Sequence, residues 1–343
     1  MTSADVDPGA PTGGADAAPT MRPDAAALTD VLPTDRLGPS GRPIGDLRTE
    51  LYRIHSVRNA ANVVALWAQS FGVVILALAL HHPGAWAVAF VLQGRAFALY
   101  GILTHEAAHR LLFRSRRLND VVGTWLVGAP GFVPLQAYRR GHMAHHREEF
   151  GLTEPDMNLY VGYPITKASW RRKLRRDALG VSGWKNLKLL LVALTKSSSR
   201  PFAMPIAIAQ VAICAGFALA GYPLAWPLLW LAPWMTGWRV LNRLRAVAEH
   251  GGAQHSSDRR LTTHHVRQSW LPRFWMVPYN TGWHLAHHVD IGVPFQNLPA
   301  LHRELERAGW VVPELEYRSY RALWRRASSR SATPAATPAT ASQ

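Results

Sequence analysis

Cysteine is almost missing: Cys214 is the only one among 343 residues. One thiol allows no intrachain disulfide, no thiolate metal cluster and no Cys-x-x-Cys redox pair. Acidic residues are scarce too, with 22 Asp and Glu against 38 Lys and Arg and a formal charge of +16. So large a charge invites a nucleic-acid reading, but its placement points elsewhere. No flavin or dinucleotide loop stands out. An even spread of apolar residues is also lacking. The hydrophobic share of 48% is ordinary for a globular protein, yet these residues gather in long blocks.

The first block covers residues 60–80, where Asn62, Gln69 and Ser70 are the only polar side chains. A membrane-crossing helix needs about 20 such residues. His81-His82-Pro83-Gly84 breaks the block, and residues 85–103 form a second one. Residues 201–221 and 223–240 form a second pair, joined at Gly221-Tyr222-Pro223. A weaker apolar stretch, 121–135, is interrupted by Gly123, Gly128, Pro130, Gly131 and Pro134. It is too short and broken to span, and is expected to lie in the interface or to dip in and return.

Charge then sets the topology. The two short turns carry no Lys, Arg, Asp or Glu, whereas the flanks and the 104–200 loop carry nearly all of them. Cytoplasmic flanks of spanning helices are rich in Lys and Arg, so both hairpins should enter from and return to the cytoplasm. The basic residues then mark the face next to anionic lipid headgroups, and no nucleic acid is needed. The expected fold is all-α: a polytopic membrane protein of the cell inner-membrane type, with four transmembrane helices in two hairpins and a cytoplasmic helical, histidine-rich cap. Residues 46–326 would form this domain. Residues 1–45 and 327–343, rich in Ala, Pro, Thr and Ser, are expected to be disordered tails. The first lacks the basic start and apolar run of a secretory signal. Arg95 is the exception, a charge inside the second span that must snorkel, face the bundle or meet a headgroup.

Sixteen histidines are the unusual abundance. His105 and His109 lie four apart. His142, His145 and His146 follow the i, i+3, i+4 pattern, and His284, His287 and His288 repeat it. On a helix each trio falls within an arc of about 100°, so neutral imidazoles project from one face and can converge on a cation. Eight are too many for one ion, since zinc takes four ligands; two ions with four or five ligands each fit. His250, in Glu249-His250-Gly251, is the ninth candidate, ahead of His255; His264 and His265 show no helical link to the clusters.

These motifs, His-x-x-x-His and two copies of His-x-x-His-His split by a membrane hairpin, resemble those of the integral-membrane fatty acid desaturases and their hydroxylase relatives. Tyr279-Asn-Thr-Gly-Trp-His-Leu-Ala-His-His, followed by the Pro-rich run from Gly292 to His302, is similar to the C-terminal motif of that superfamily, and Glu249-His250-Gly251 to its additional histidine motif. The resemblance covers roughly residues 45–310. It implies a di-iron centre, with O2 as co-substrate, held by His105, His109, His142, His145, His146, His250, His284, His287 and His288. Glu106, Glu249 and Asp290 would orient imidazole N–H groups, while Glu148 reads as a surface charge. It also implies an acyl-lipid, acyl-CoA or acyl-carrier substrate, and a separate electron donor resembling ferredoxin, rubredoxin or cytochrome b5. Trp125, Phe132, Tyr138, Tyr279 and Trp283 are placed to line an acyl path or to anchor at the interface.

Two other readings compete. Hydroxylase or ketolase activity on an alkane, sterol or carotenoid would use the same ligands. An intramembrane zinc protease would use His105-Glu106-Ala-Ala-His109 with the glutamate as general base, but would leave the other two clusters unexplained.

Overall fold

The computed structural model describes residues 20–151 and 154–331. Helix α1 (Gly45–Leu51) leads into α2 (Ser56–Leu80), which turns back as α3 (Pro83–Ala108). At the turn His81 takes a left-handed conformation, φ 47°, the His82 side chain accepts the Gly84 N–H, and Pro83 opens the next helix. From Gln93 to Ala108 nearly every residue of α3 is buried, so it is the central pillar of the bundle. It also runs on past the expected end of the second span and carries the first histidine motif in its last turn.

Next come α4 (Arg116–Val122), a π-helical turn (Gly123–Gly128) and α5 (Leu135–Arg147). The stretch 121–135 is therefore a broken element, as its glycines and prolines predict. The short α6 (Met157–Tyr160) and a pair, α7 (Lys167–Ala178) and α8 (Val181–Thr195), lead to α9 (Arg200–Leu219). Three helical stretches are long and apolar enough to cross a membrane: Gly45–Leu80, Pro83–Ala108 and Arg200–Leu219.

The expected fourth span, 223–240, does not form a continuous helix. A π-helical turn (Pro227–Leu231) passes into α10 (Ala232–Met235), then breaks at Thr236 before α11 (Gly237–His250). Pro227 and Pro233 have no N–H to give to the ladder, and Thr236 at ψ −81° lies outside helical geometry. What the segment offers instead is bulk: Trp230 and Trp234 are fully or almost fully buried, with Trp230 edge-on to Phe97 and Tyr100.

The remaining elements are α12 (Arg259–Thr262), strand β1 (His265–Val266), α13 (Trp270–Trp275), α14 (His284–Val289), α15 (Leu298–Arg307), strand β2 (Glu316–Tyr317) and α16 (Tyr320–Ala327). The two short strands pair in parallel, the one sheet among the described residues. One large apolar core joins α2, α3, α14 and α15, so the helix bearing the last histidine motif is seated on the same core as the membrane hairpin.

The expected N-terminal tail is only partly within the described residues. Its residues 20–44, mostly exposed, are anchored to the domain at a few points. Met21 and Leu37 are buried, and the Thr20 hydroxyl donates to the Gly252 carbonyl. The buried Arg22 guanidinium meets His264 Nδ1 and the Arg260 and Leu315 carbonyls. Composition misleads here because a few anchors, not overall apolar content, hold the strap. Residues 1–19 and 332–343 lie outside the described residues.

Gly183 of α8 meets α10 backbone to backbone: a Cβ there would sit 2.2 Å from the Met235 carbonyl oxygen. Gly216 in α9 has open space at the same position. Gly183→Val is expected to lower the unfolding midpoint in detergent by several degrees, because backbone cannot yield as a side chain tip can. Gly216→Ala should leave it unchanged or raise it, helix propensity favouring alanine by up to about 1 kcal/mol.

Candidate metal centre

Helix ends build this site. The last turn of α3 presents His105, and His109 caps it. Arg139 of α5 donates to the Ala107 and Ala108 carbonyls at 2.8 and 2.9 Å and pairs with Asp120. It thereby satisfies orphan carbonyls at the end of α3 and locks α5 beside it. Helix α5 buries His142, His145 and His146, and Tyr138 stacks on His142 at 5.2 Å. His250 ends α11, and the six residues of α14 bring in His284, His287 and His288, all buried.

The nine histidines named from the sequence come together in two adjoining groups. His105, His109, His142, His146 and His287 have ring nitrogens all within 4.8 Å of one another. Their Nε2 atoms approach at 3.1 Å (His105–His287), 2.9 Å (His109–His142), 3.0 Å (His142–His146) and 3.1 Å (His146–His287). His145, His250 and His288 form the second group, and His284 joins it with its Nε2 2.9 Å from that of His250.

The outer nitrogens of the second group decide the tautomers. His145 Nδ1 lies 2.9 Å from Glu154, His288 Nδ1 contacts Glu149, and His250 Nδ1 lies 2.8 Å from the Thr262 carbonyl. His284 Nδ1 is 3.6 Å from Glu249. With its proton on Nδ1, His250 turns its Nε2 lone pair toward His284 Nε2 at 2.9 Å, where a cation could take both nitrogens. His288 Nε2 is buried with no hydrogen-bond partner at all, a cost only a ligand would remove. Spacings of 2.9–3.1 Å also match ion-ligand bonds of about 2.0–2.1 Å meeting near right angles, which put neighbouring nitrogens about 2.9 Å apart. The donor set therefore fits metal binding in both groups.

Electrostatics agree. Burial, then the neighbouring imidazoles, hold His142, His146, His250, His284, His287 and His288 well below the usual histidine pKa, so they stay neutral and ready to bind. His145 goes the other way: burial pushes it down, but the hydrogen bond and charge of Glu154 outweigh this and raise it.

The orienting carboxylates differ from expectation. Glu106 is one residue from His105, but that is about 100° around a helix; its carboxylate accepts the Phe295 N–H at 3.1 Å and touches no clustered histidine through a hydrogen bond. Asp290 follows the end of α14 in extended geometry and accepts the Tyr52 hydroxyl at 2.7 Å and the Gly292 N–H. Only Glu249 lies beside a histidine of the cluster. Sequence reasoning misses Glu149 and Glu154, as it misses the Tyr160 hydroxyl, 3.2 Å from His145 Nδ1, and the Thr262 carbonyl. Three glutamates within eight residues of His146, namely Glu148, Glu149 and Glu154, are the available signal. Glu148 is half-exposed and lies 3.7 Å from Arg147. His255 contacts the Glu149 carbonyl instead of a clustered ring, and His264 binds the N-terminal strap.

A cavity of about 460 Å³ opens against His142, His145, His250 and His284. Phe132, Tyr138, Leu190, Trp234 and Trp238 wall it, so two of the expected aromatic liners are there. Tyr279 lines a different cavity, and Trp125 is 42% exposed.

Residues 80–324 match the sequence profile of the fatty acid desaturase family, well over half of the chain. The chain belongs to the fatty acid desaturase family. A stretch of 116 residues, 34% of this chain, is 32% identical to a protein of Sorghum bicolor named probable fatty acid desaturase DES1, of which it covers 27%. The chain thus spans about a quarter of that relative's length, and it joins a histidine cluster that could hold metal to three helices long and apolar enough to cross a membrane.

Replacing an acceptor on an outer imidazole nitrogen should loosen metal binding roughly 10–100-fold. Glu149→Gln and Glu154→Gln are expected to lower the metal content of the purified protein. Asp290→Asn, whose parent side chain contacts Tyr52 instead, should leave it unchanged; equal losses in all three would contradict these roles.

Proposed function

We propose that this desaturase-family chain is a membrane di-iron enzyme that introduces a double bond into an acyl chain. The observation that carries the reading is the junction of nine inward-facing imidazoles with the aromatic-walled cavity. His105, His109, His142, His146 and His287 would hold one iron, and His145, His250, His284 and His288 the other. The bound centre would supply O2 activation and abstraction of hydrogen from an unactivated C–H bond. The chain's own residues do the rest. Phe132, Trp234 and Trp238 exclude water from the acyl chain and hold its carbons under the ring cluster, while Glu149, Glu154 and Thr262 keep the imidazoles turned inward.

Forming one double bond while reducing O2 to two waters takes two electrons and two protons beyond the two hydrogens removed. In the proposed cycle a separate donor, of ferredoxin, rubredoxin or cytochrome b5 type, brings the electrons. It would dock on the basic face around Arg171, Arg172, Arg175 and Arg176 of α7, a steering arrangement that salt weakens. The broken segment 223–240 completes the fourth crossing, with both hairpins returning to the cytoplasm. The protease reading is weakened by Glu106, which is tied to the Phe295 backbone rather than poised beside a metal-bound water.

Metal analysis of the purified protein, together with lipid profiling of cells expressing it, tests the proposal. Two irons per chain and a new double bond are expected; one zinc with unchanged lipids would sink it, and a hydroxylated product would assign the alternative reaction. His284→Ala should abolish product while leaving membrane insertion intact. Donor turnover should fall as ionic strength rises, and insensitivity to salt would remove the electrostatic docking.

A further inference from the structure

Arg95 remains unexplained by the metal centre. It lies halfway along α3, where an isolated charge is costly, and makes no ion pair among the described residues. Its Nε donates to the Phe274 carbonyl at 2.7 Å, its guanidinium lies 3.9 Å over the Phe274 ring, and Nη1 reaches Gln69 Oε1. Phe274 belongs to α13, whose six residues Trp-Leu-Pro-Arg-Phe-Trp are none of them buried. Trp270, Leu271 and Phe274 are 76%, 50% and 40% exposed beside two membrane-crossing helices. Apolar side chains turned outward at that level have the bilayer as their partner.

Between α13, α2 and α3 lies a second cavity, of about 490 Å³, which the histidine cluster does not line. Its walls carry Arg58, Arg95 and Arg273, with Asn62, Gln69 and Gln296, and no Asp or Glu. Arg273 donates to the Asn280 side chain at 3.0 Å and lies over Trp283, so its charge is held but not neutralised. Gln69 Nε2 and Gln296 Oε1 are buried atoms without partners, one a donor and the other an acceptor. From Arg58 to Gln69 the cavity follows α2 for about 16 Å at 1.5 Å per residue, enough for a headgroup and its glycerol backbone.

We infer that this cavity binds the headgroup of an anionic glycerophospholipid. The phosphate meets Arg58, Arg95 and Arg273 and accepts from Gln69. A headgroup hydroxyl donates to Gln296, and the acyl chains lie along the outward apolar face of α13. Phosphatidylglycerol has both, the charge on its phosphodiester and the hydroxyls on its glycerol headgroup. The lipid is bound intact, as a fixture of the fold and not as the molecule under the histidines, so the site stands whatever reaction the metal centre performs.

Reconstitution in nanodiscs of mixed phosphatidylcholine and phosphatidylglycerol, then detergent extraction and mass spectrometry of the retained lipid, tests this. Wild-type protein should retain phosphatidylglycerol above its bulk share. In an Arg58→Gln/Arg273→Gln double variant, both parent side chains being exposed, the enrichment should fall roughly 30-fold, about fivefold for each interfacial charge removed. Arg95→Gln should also loosen α13, read as faster hydrogen exchange over residues 267–280. Because the double variant leaves Arg95 in place, the test survives a folding failure of the Arg95 variant. Equal lipid composition in wild type and double variant would overturn the inference. So would displacement of the retained lipid by millimolar inorganic phosphate, which would assign the site to a free anion.

Discussion

Nine imidazoles within one another's reach, eight of them buried, are unfavourable in the absence of a cation. Ring nitrogens are brought to 2.9–3.1 Å of one another, and the buried rings have given up water to be there. The fold accepts this cost at one end of α3 and arranges its neighbours accordingly. Helix α5 is fastened to the end of α3 by Arg139, α11 stops at His250, and α14 is only as long as its three histidines require. The outer acceptors Glu149, Glu154 and Thr262 fix the orientation of His288, His145 and His250 from behind.

The histidine motifs are readable because their spacing matches helix periodicity, and periodicity survives without knowledge of tertiary contacts. The membrane hairpin is readable for the same reason: a long apolar block has few alternatives. What the rings touch on their outer side is not. Glu149 and Glu154 lie past the end of α5, where chain direction is set by a turn at Phe150 with φ 60° and not by a repeat. Sequence adjacency points to Glu106 and Asp290 instead, and both turn to backbone or to Tyr52.

The segment 223–240 shows another limit. Its hydropathy suits a span, but two prolines and the break at Thr236 divide it, and its tryptophans fill the bundle instead of facing lipid. Composition counts apolar residues without asking which way they point. The strap of residues 20–44 shows the converse, a polar stretch held down by the single buried guanidinium of Arg22 and a few apolar anchors.

His105 and His287 stand 182 residues apart in the chain, yet their nitrogens are 3.1 Å apart in space. An ion bound between such groups is a cross-link that closes a very long loop, comparable in effect to a disulfide in a chain that cannot form one.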